Sequence, residues 1–300
     1  MWGVIISALT NSQITKAILD KKPILVRWGV DFSPLPTPAP AVTLAIGGHD
    51  PSGGAGIQAD IEAIAAQGGH AASAITCLTV QDTRDVRQLI PTDPELVIAQ
   101  AEAVLADLPV AAIKIGLLGD AAIARRLARL LGQHPAIPVV LDPVLAAGGG
   151  TPLAGDELRN TLVAELLPQT GLLTPNSREA RLLAGADDLG DCARILLEGG
   201  CRHVLITGAH EQGAPVINRL YGPAGLIESW RWERLPGEYH GSGCTLAAAI
   251  AALLAQGLDL ADAVRTGQEF AWRSLAGAHR LGRGQRLPDR LYRLRHGNSG

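Results

Sequence analysis

The sequence predicts an α/β protein with a mostly parallel central sheet that is covered by helices on both faces. Short apolar runs alternate with helical segments of about ten or more residues, which is the pattern of repeated βαβ units. Polar, glycine and proline residues follow nearly every apolar run, as at the carboxyl edge of parallel strands. The alternation breaks at residues 215–232, where two strands joined around Tyr221-Gly222-Pro223 predict an antiparallel edge.

The predicted parallel strands are short apolar runs that end at polar or flexible residues, which is typical of buried strands. They cover residues 42–46, 74–80, 111–115, 139–141, 171–173 and 203–207. Because the carboxyl ends of such strands meet at one edge, we expect a ligand site there. The residues that follow these strands include Gly48-His49-Asp50, Gln81-Asp82, Gly116-Leu117, Asp142-Pro143-Val144, Thr174-Pro175-Asn176 and Thr207-Gly208.

The predicted helices carry recognisable start and stop signals. Asp93-Pro94-Glu95 indicates a helix start, since it combines a capping Asp, a proline in the first turn and an acid near the positive end. Gly68-Gly69 and Gly132 indicate helix ends. The helical segments cover residues 57–65, 94–108, 121–131, 156–166, 177–183, 245–255 and 260–275.

Composition excludes several classes of protein. The 300 residues are 47% apolar with a net charge of −3 and 3% aromatics, which disfavours binding to nucleic acid or to an anionic membrane surface. The four cysteines are dispersed without a CxxC pair, which argues against zinc and disulfides and favours a reducing cytoplasm. No apolar run is long enough to span a membrane, and residues 1–10 lack a basic segment, so no signal peptide is predicted.

Three segments are expected along the chain. Residues 1–40 form an N-terminal extension that ends in a linker with proline at every second position from Pro34 to Pro40. Residues 41–280 form the main domain. Residues 281–300 form a basic tail that we expect to be solvated. The arginines at this end are Arg280, Arg283, Arg286, Arg290, Arg293 and Arg295.

Gly241-Ser242-Gly243-Cys244 directly precedes a predicted helix. The glycines allow a tight turn, and the free N–H groups and dipole at a helix start favour an anion such as phosphate. Cys244 stands at the mouth of that site, where a thiol is expected to be acidified. From these residues alone, a glycine-rich loop with a merely buried cysteine is an equal alternative.

A dinucleotide-binding fold is a competing interpretation, because residues 54–59 fit the pattern GxGxxA. That pattern should follow its strand almost directly, yet seven residues separate Ile46 from Gly54. It also gives no role to Asp142 or Glu179. A Walker A motif is excluded because no Gly-Lys-Ser/Thr follows the glycines.

Residues 50–60, Asp-Pro-Ser-Gly-Gly-Ala-Gly-Ile-Gln-Ala-Asp, resemble the signature of the hydroxymethylpyrimidine/phosphomethylpyrimidine kinases of thiamine biosynthesis. These kinases belong to the ribokinase-like superfamily. Further family motifs recur in the same order, and the resemblance covers about residues 42–275. These motifs are Lys114-Ile115-Gly116, Asp142-Pro143-Val144, Thr174-Pro175-Asn176 with Glu179, and Gly241 to Cys244.

The resemblance implies a three-layer α/β/α ribokinase-like fold and a cytoplasmic homodimer. It implies ATP-dependent phosphorylation of a small molecule, 4-amino-5-hydroxymethyl-2-methylpyrimidine, and of its monophosphate, with Mg²⁺. Two alternatives stay open: a pyridoxal or pyridoxine kinase of the same fold, and a non-catalytic pyrimidine-binding regulator.

The resemblance also implies roles for single residues. The pyrimidine pocket would contain Gly48, Asp60, Gln81, Leu117 and Val144. Mg²⁺ would be held by Asp142 and Glu179, and the nucleotide phosphates would lie near Asn176 and Thr207. The anion hole would be formed by Gly241, Ser242 and Gly243, and Cys244 would act on the substrate hydroxyl.

Alternatives from the residues themselves are a strand-end cap for Asp142, a first-turn helix acid for Glu179 and a structural role for Lys114. One departure concerns the nucleotide end, where Thr207-Gly208-Ala209-His210 replaces the usual Lys-Gly-Gly-His and removes a positive charge.

Overall fold

The structure, a computed structural model, describes residues 39–296. All of the expected N-terminal extension except its last two residues lies outside that range. One sheet contains nine strands in the described range. They are β1 (Val42–His49), β2 (His70–Gln81), β3 (Val86–Pro91), β4 (Val110–Ile115), β5 (Val139–Leu141), β6 (Leu172–Leu173), β7 (His203–Ile206), β8 (Val216–Gly222) and β9 (Gly225–Trp232).

The strand order is β3-β2-β1-β4-β5-β6-β7-β8-β9. The six strands from β2 to β7 in this order are parallel, and β8 and β9 add an antiparallel edge, so both predictions are confirmed. The opposite edge was not predicted: β3 pairs antiparallel with β2. Its residues are mostly exposed and include Arg87 and Gln88, so no apolar pattern marks it as a strand.

Nine α-helices lie within residues 39–296. They are α1 (Gly56–Ala66), α2 (Pro94–Asp107), α3 (Ala121–Gly132), α4 (Asp156–Thr161), α5 (Ser177–Ala184), α6 (Leu189–Glu198), α7 (Ser242–Ala255), α8 (Leu260–Ala276) and α9 (Tyr292–His296). Asp93 caps α2 as predicted, because its carboxylate accepts a hydrogen bond from Leu96 N at 3.0 Å. The segment expected as one helix at 156–166 continues from α4 as a π-turn, Leu162–Leu166. Helix α6 was not predicted.

The helices cover the sheet on both faces, which confirms the three-layer architecture. In β1, Leu44 and Ile46 face the layer that contains α2 to α6, whereas Ala45 faces α1, α7 and α8. Helix α7 is buried from Cys244 to Leu253. No helix in the described range is long and apolar enough to cross a membrane.

Strand β1 pairs with β2 on one side and with β4 on the other. From β1 to β3 successive strands extend the sheet toward one edge, and from β4 onward they extend it toward the other edge. Such a switch point opens a crevice at the carboxyl ends of the strands. The predicted site residues lie around this crevice.

Residues 278–290, here called the C-terminal segment, return over the domain. Gln285 N donates to Thr83 O at 2.8 Å, and His240 N donates to Arg286 O at 2.9 Å. Arg283 and Arg286 are exposed, but Arg290 is only 2% exposed. The prediction of a solvated tail is therefore wrong for Arg290, because its guanidinium finds buried acceptors.

Candidate active site

The turn before α7 has the geometry that its glycines predict. Gly241 caps the helix with φ of +78°, a left-handed conformation that favours glycine. A side chain here would also overlap the carbonyl oxygen of Gly54. Ser242 is half-buried and Gly243 is exposed, so the first turn of the helix faces the crevice.

The loop between β1 and α1 carries most of the family signature and is organised by Asp50. The buried carboxylate accepts hydrogen bonds from Ser52 N at 2.8 Å and Ala55 N at 2.7 Å, and contacts His240 Nε2 at 2.8 Å. Burial opposes ionisation, but the hydrogen bonds and the charge of His240 prevail and lower the pKa of Asp50. Because His240 directly precedes Gly241, this contact joins the signature loop to the turn before α7.

A buried ion pair lies beneath the crevice. Lys114 Nζ, on β4, lies 2.8 and 2.9 Å from the two carboxylate oxygens of Asp60 on α1. Although burial opposes the charge, the neighbouring carboxylates of Asp60 and Asp142 help to raise the pKa of Lys114. Asp60 is fully buried, so it does not line the pyrimidine pocket as expected; it supports the site from below.

Asp142 and Cys244 meet at the end of β5. A Cβ atom on Gly243 would lie 3.5 Å from Asp142 Oδ1, so the carboxylate faces the first turn of α7. Burial raises the pKa of Asp142, opposed by the charge of Lys114 and by the nearby thiol of Cys244. Burial also raises the pKa of the Cys244 thiol to about 12. The expectation of an acidified thiol is therefore wrong, because desolvation outweighs the helix dipole and Lys114.

The expected nucleotide end of the crevice is built from a helix cap. Asn176 Oδ1 accepts hydrogen bonds from Arg178 N and Glu179 N at 3.0 Å, and Glu179 Oε2 accepts one from Asn176 N at 3.0 Å. Asn176 also pairs with Thr207 in a parallel β-bridge. Burial, with repulsion from Asp142, raises the pKa of Glu179 to about 8. The cap occupies Asn176 Oδ1 and leaves its amide N–H donors for a ligand.

The expected pyrimidine end of the crevice is lined by apolar residues on one side and by a polar side chain on the other. A Cβ atom on Gly48 would lie 3.2 Å from Leu117, so the backbone passes close under that side chain. Leu117 and Val144 are half-buried. Gln81 Nε2 donates to Thr79 Oγ1 at 2.7 Å, which orients the amide. Gln81 lines a cavity of about 420 Å³ together with Pro51, Ser52, Asp82, Thr83, Arg84, Gly282 and Arg283.

Comparison with known proteins decides the family. The sequence profile described as phosphomethylpyrimidine kinase matches residues 50–289. The chain belongs to this family. A hydroxymethylpyrimidine/phosphomethylpyrimidine kinase of Rhizobium meliloti is 38% identical over 262 residues, which cover 82% of this chain and 94% of that relative.

Two solved structures support the family's fold. Bacillus subtilis pyridoxal kinase, in an ADP complex, has a TM-score of 0.78 and 28% identity, over 84% of this chain and 98% of that chain. Phosphomethylpyrimidine kinase of Clostridium difficile 630 has a TM-score of 0.67 and 31% identity, over 77% and 97%. The predicted ribokinase-like fold and the resemblance are thus confirmed.

Three buried side chains that support the candidate site received no functional role from the sequence. Lys114 belongs to the motif Lys114-Ile115-Gly116 and was interpreted as a structural residue, which agrees with its buried ion pair to Asp60. The sequence gives His240 no role beyond that of a loop or pocket residue, although its position directly before Gly241 points to a more specific one. Arg290 lacks any such signal, because its contacts lie far away in the sequence.

Proposed function

We propose that this kinase transfers the γ-phosphoryl group of ATP to the hydroxyl of 4-amino-5-hydroxymethyl-2-methylpyrimidine, and then to the resulting monophosphate, in thiamine diphosphate biosynthesis. The observation that carries the proposal is the convergence of Asp142, Cys244 and the first turn of α7 at one point of the crevice. The family membership of the chain supports the choice of substrate.

Phosphoryl transfer depends mainly on positioning and on stabilisation of the charge that develops on the phosphoryl oxygens. Preorganised backbone N–H groups supply such stabilisation without rearrangement. We assign this role to the first turn of α7, from Gly241 to Gly243, since Gly243 is exposed toward the crevice. The left-handed Gly241 directs the turn into this position.

We assign Cys244 to orientation of the substrate hydroxyl. A thiol with a pKa of about 12 is protonated at neutral pH, so a standing thiolate is not the attacking base. Its side chain is buried beside Asp142 and Lys114, which restricts its position. The sulfur can then accept a hydrogen bond from the incoming hydroxyl and align its oxygen with the phosphoryl group.

Asp142 and Glu179 fit a magnesium ion. Asp142 Oδ2 is buried and has no hydrogen-bond partner within residues 39–296. The raised pKa of Glu179 reflects burial and repulsion from Asp142, which a cation between them would relieve. Mg²⁺ usually takes one or two carboxylates and completes its shell with water and phosphate oxygens. When bound, it neutralises charge on the phosphates of ATP.

The remaining assignments follow from position. We place the ATP phosphates beside the free amide donors of Asn176 and beside Thr207. We place the pyrimidine against Leu117 and Val144, with Gly48 beneath and the Gln81 amide toward a ring-edge group. A carboxamide matches an aminopyrimidine edge because it both donates and accepts.

We also propose a homodimer and a cytoplasmic location. Leu78 and Val80 on β2 are 52% and 46% exposed. Ile90 on the neighbouring strand β3 pairs with Leu78 and is 50% exposed. Exposed apolar side chains that cluster at a sheet edge favour coverage by a second chain. All four cysteines are free thiols, which supports a reducing compartment.

A pyridoxal kinase is the second candidate, favoured by the high TM-score of the Bacillus subtilis enzyme. The test offers purified protein with Mg-ATP the pyrimidine, its monophosphate and pyridoxal separately, and identifies products by mass. We expect pyrimidine monophosphate followed by diphosphate. Faster phosphorylation of pyridoxal than of the pyrimidine would reject the proposed substrate. Pyrimidine binding without ADP formation would instead indicate a non-catalytic regulator.

A further inference from the structure

We infer that Arg290 is a positioning residue, which fixes the phosphate-binding turn before α7 against the signature loop. This inference rests on the proposed kinase reaction. Arg290 belongs to the C-terminal segment, and its side chain is 1% exposed. A buried guanidinium is costly unless its donors are satisfied, so its partners indicate what it holds.

Those partners come from three different parts of the fold. Arg290 donates from Nε to Thr245 Oγ1 at 2.8 Å, from Nη1 to Glu62 Oε2 at 3.0 Å, and from Nη2 to Gly54 O. A longer contact of 3.4 Å joins Nη1 to Gly53 O. The guanidinium thus contacts the signature loop, α1 and α7 at once.

Thr245 extends this contact to the turn itself. Its hydroxyl accepts from Arg290 Nε and donates to the carbonyl oxygen of Gly241 at 2.8 Å. A hydroxyl that accepts a hydrogen bond from a charged group becomes a stronger donor. Arg290 therefore acts on the helix-capping residue of the proposed anion hole through Thr245.

The signature loop is fixed from the other side. The carbonyl of Gly54 binds Arg290, while the N–H of the same peptide, on Ala55, donates to Asp50 Oδ2 at 2.7 Å. Both ends of this peptide are thus held. Gly241 has no room for a Cβ atom against Gly54, so any shift of the loop moves the turn as well.

The set of partners requires arginine in particular. Donors that point in three directions within the guanidinium plane reach Thr245, Glu62 and the loop carbonyls together. A lysine keeps the charge, but its single ammonium cannot satisfy acceptors spread around a planar fork. Arg290→Lys therefore tests the geometry separately from the charge.

The experiment measures kcat, both KM values and Tm for Arg290→Lys, Thr245→Val and the double variant. Misplacement of about 1 Å can cost about 10²-fold in rate, so we expect Arg290→Lys to lower kcat by about 10- to 100-fold. We expect the pyrimidine KM to change by less than about threefold, because the variant weakens stabilisation of the charge in the transition state and not binding of the pyrimidine. Because both residues act through Gly241, the double variant should fall little below the worse single variant.

Two controls separate positioning from stability. Arg293→Lys alters an exposed arginine three residues further on and should leave kcat unchanged. Leu196→Ala leaves a cavity in the core beneath α6, away from the crevice. This variant should have a lower Tm but an unchanged kcat at temperatures where it stays folded.

Wild-type turnover of the pyrimidine is measured first, since its absence would refute the proposed function rather than the role of Arg290. With turnover established, the inference would be overturned if kcat of Arg290→Lys stayed within about twofold of wild type. It would also be overturned if the fold-loss in kcat of the double variant equalled the product of the two single-variant losses. If Arg290→Lys does not fold, Thr245→Val decides: an unchanged kcat in that folded variant also overturns the inference.

Discussion

The two ends of the crevice hold their side chains by different kinds of contact. At the nucleotide end, Asn176 and Glu179 lie three residues apart and cap the same helix. At the other end, where the signature loop meets the turn before α7, His240 reaches Asp50 across 190 positions of sequence, and beneath it Lys114 reaches Asp60 across 54. A local motif thus shapes one end, whereas the other forms only when distant parts of the chain have packed. Substitutions should therefore cost more stability at the signature-loop end.

The largest effect is expected for Lys114→Met. Removing one partner of a buried ion pair leaves an uncompensated carboxylate, which typically costs about 3–5 kcal/mol in the free energy of unfolding. Asp60 has no solvent exposure through which to recover hydration. Urea unfolding measures the loss. In the control, the double variant Asp60→Leu/Lys114→Met should recover most of it, and a single-variant loss under about 1 kcal/mol would contradict the prediction.

The second largest effect is expected for Cys244→Ala, which should lower the catalytic rate at the point where the two ends of the crevice meet. Loss of the group that positions the reacting hydroxyl is expected to cost about 10²-fold in rate, which corresponds to about 2.7 kcal/mol in the activation barrier. Steady-state kinetics should show a fall in kcat. Cys244→Ser, which keeps a hydrogen-bonding group, should lose less. A rate equal to wild type for the alanine variant would return Cys244 to a packing role.

The raised pKa of Glu179 predicts that the free energy of unfolding depends on pH. Its pKa is raised from an ordinary 4.5 to about 8, so the native state holds the proton more tightly than the unfolded chain. The stabilisation is complete below pH 4.5 and is lost as the pH rises through about 8. Without divalent cations, Glu179→Gln should therefore flatten the decline in unfolding free energy over this range. Urea unfolding at several pH values checks this, and equal slopes in both proteins would refute it.

The smallest effect is expected at the helix cap. Asn176→Ala removes a side-chain cap, which usually costs about 1 kcal/mol. Asn176→Asp keeps the capping oxygen but loses the amide donors, so stability should be retained while the KM for ATP rises. Thermal unfolding and kinetics on the same samples distinguish the two roles. An unchanged KM in the aspartate variant would show that the amide does not contact the nucleotide.

The same contrast explains what the sequence could and could not predict. The cap of α2 by Asp93 and the strand at Val139–Leu141 follow from neighbouring residues, and both are found where expected. The candidate site residues are strand-end motifs, and the carboxyl edge of a parallel sheet brings such motifs together whatever their distance in sequence.

Features that depend on tertiary context escaped prediction. Strand β3 carries little apolar signal because it lies at an exposed edge. The thiol of Cys244 appeared acidic from its place at a helix start, but burial reverses the direction of its pKa shift. Arg290 appeared solvated because its neighbours in sequence are basic, and only the folded domain supplies its acceptors.

The late position of Arg290 has a consequence for biosynthesis. The chain emerges from the ribosome N-terminus first, and domains generally fold as units once their residues are available. The signature loop is translated more than two hundred residues before the arginine that binds its carbonyls, at a separation of 236 positions. The catalytic crevice thus reaches its final geometry only near the end of translation, and a nascent chain that stops short of residue 290 is expected to lack activity.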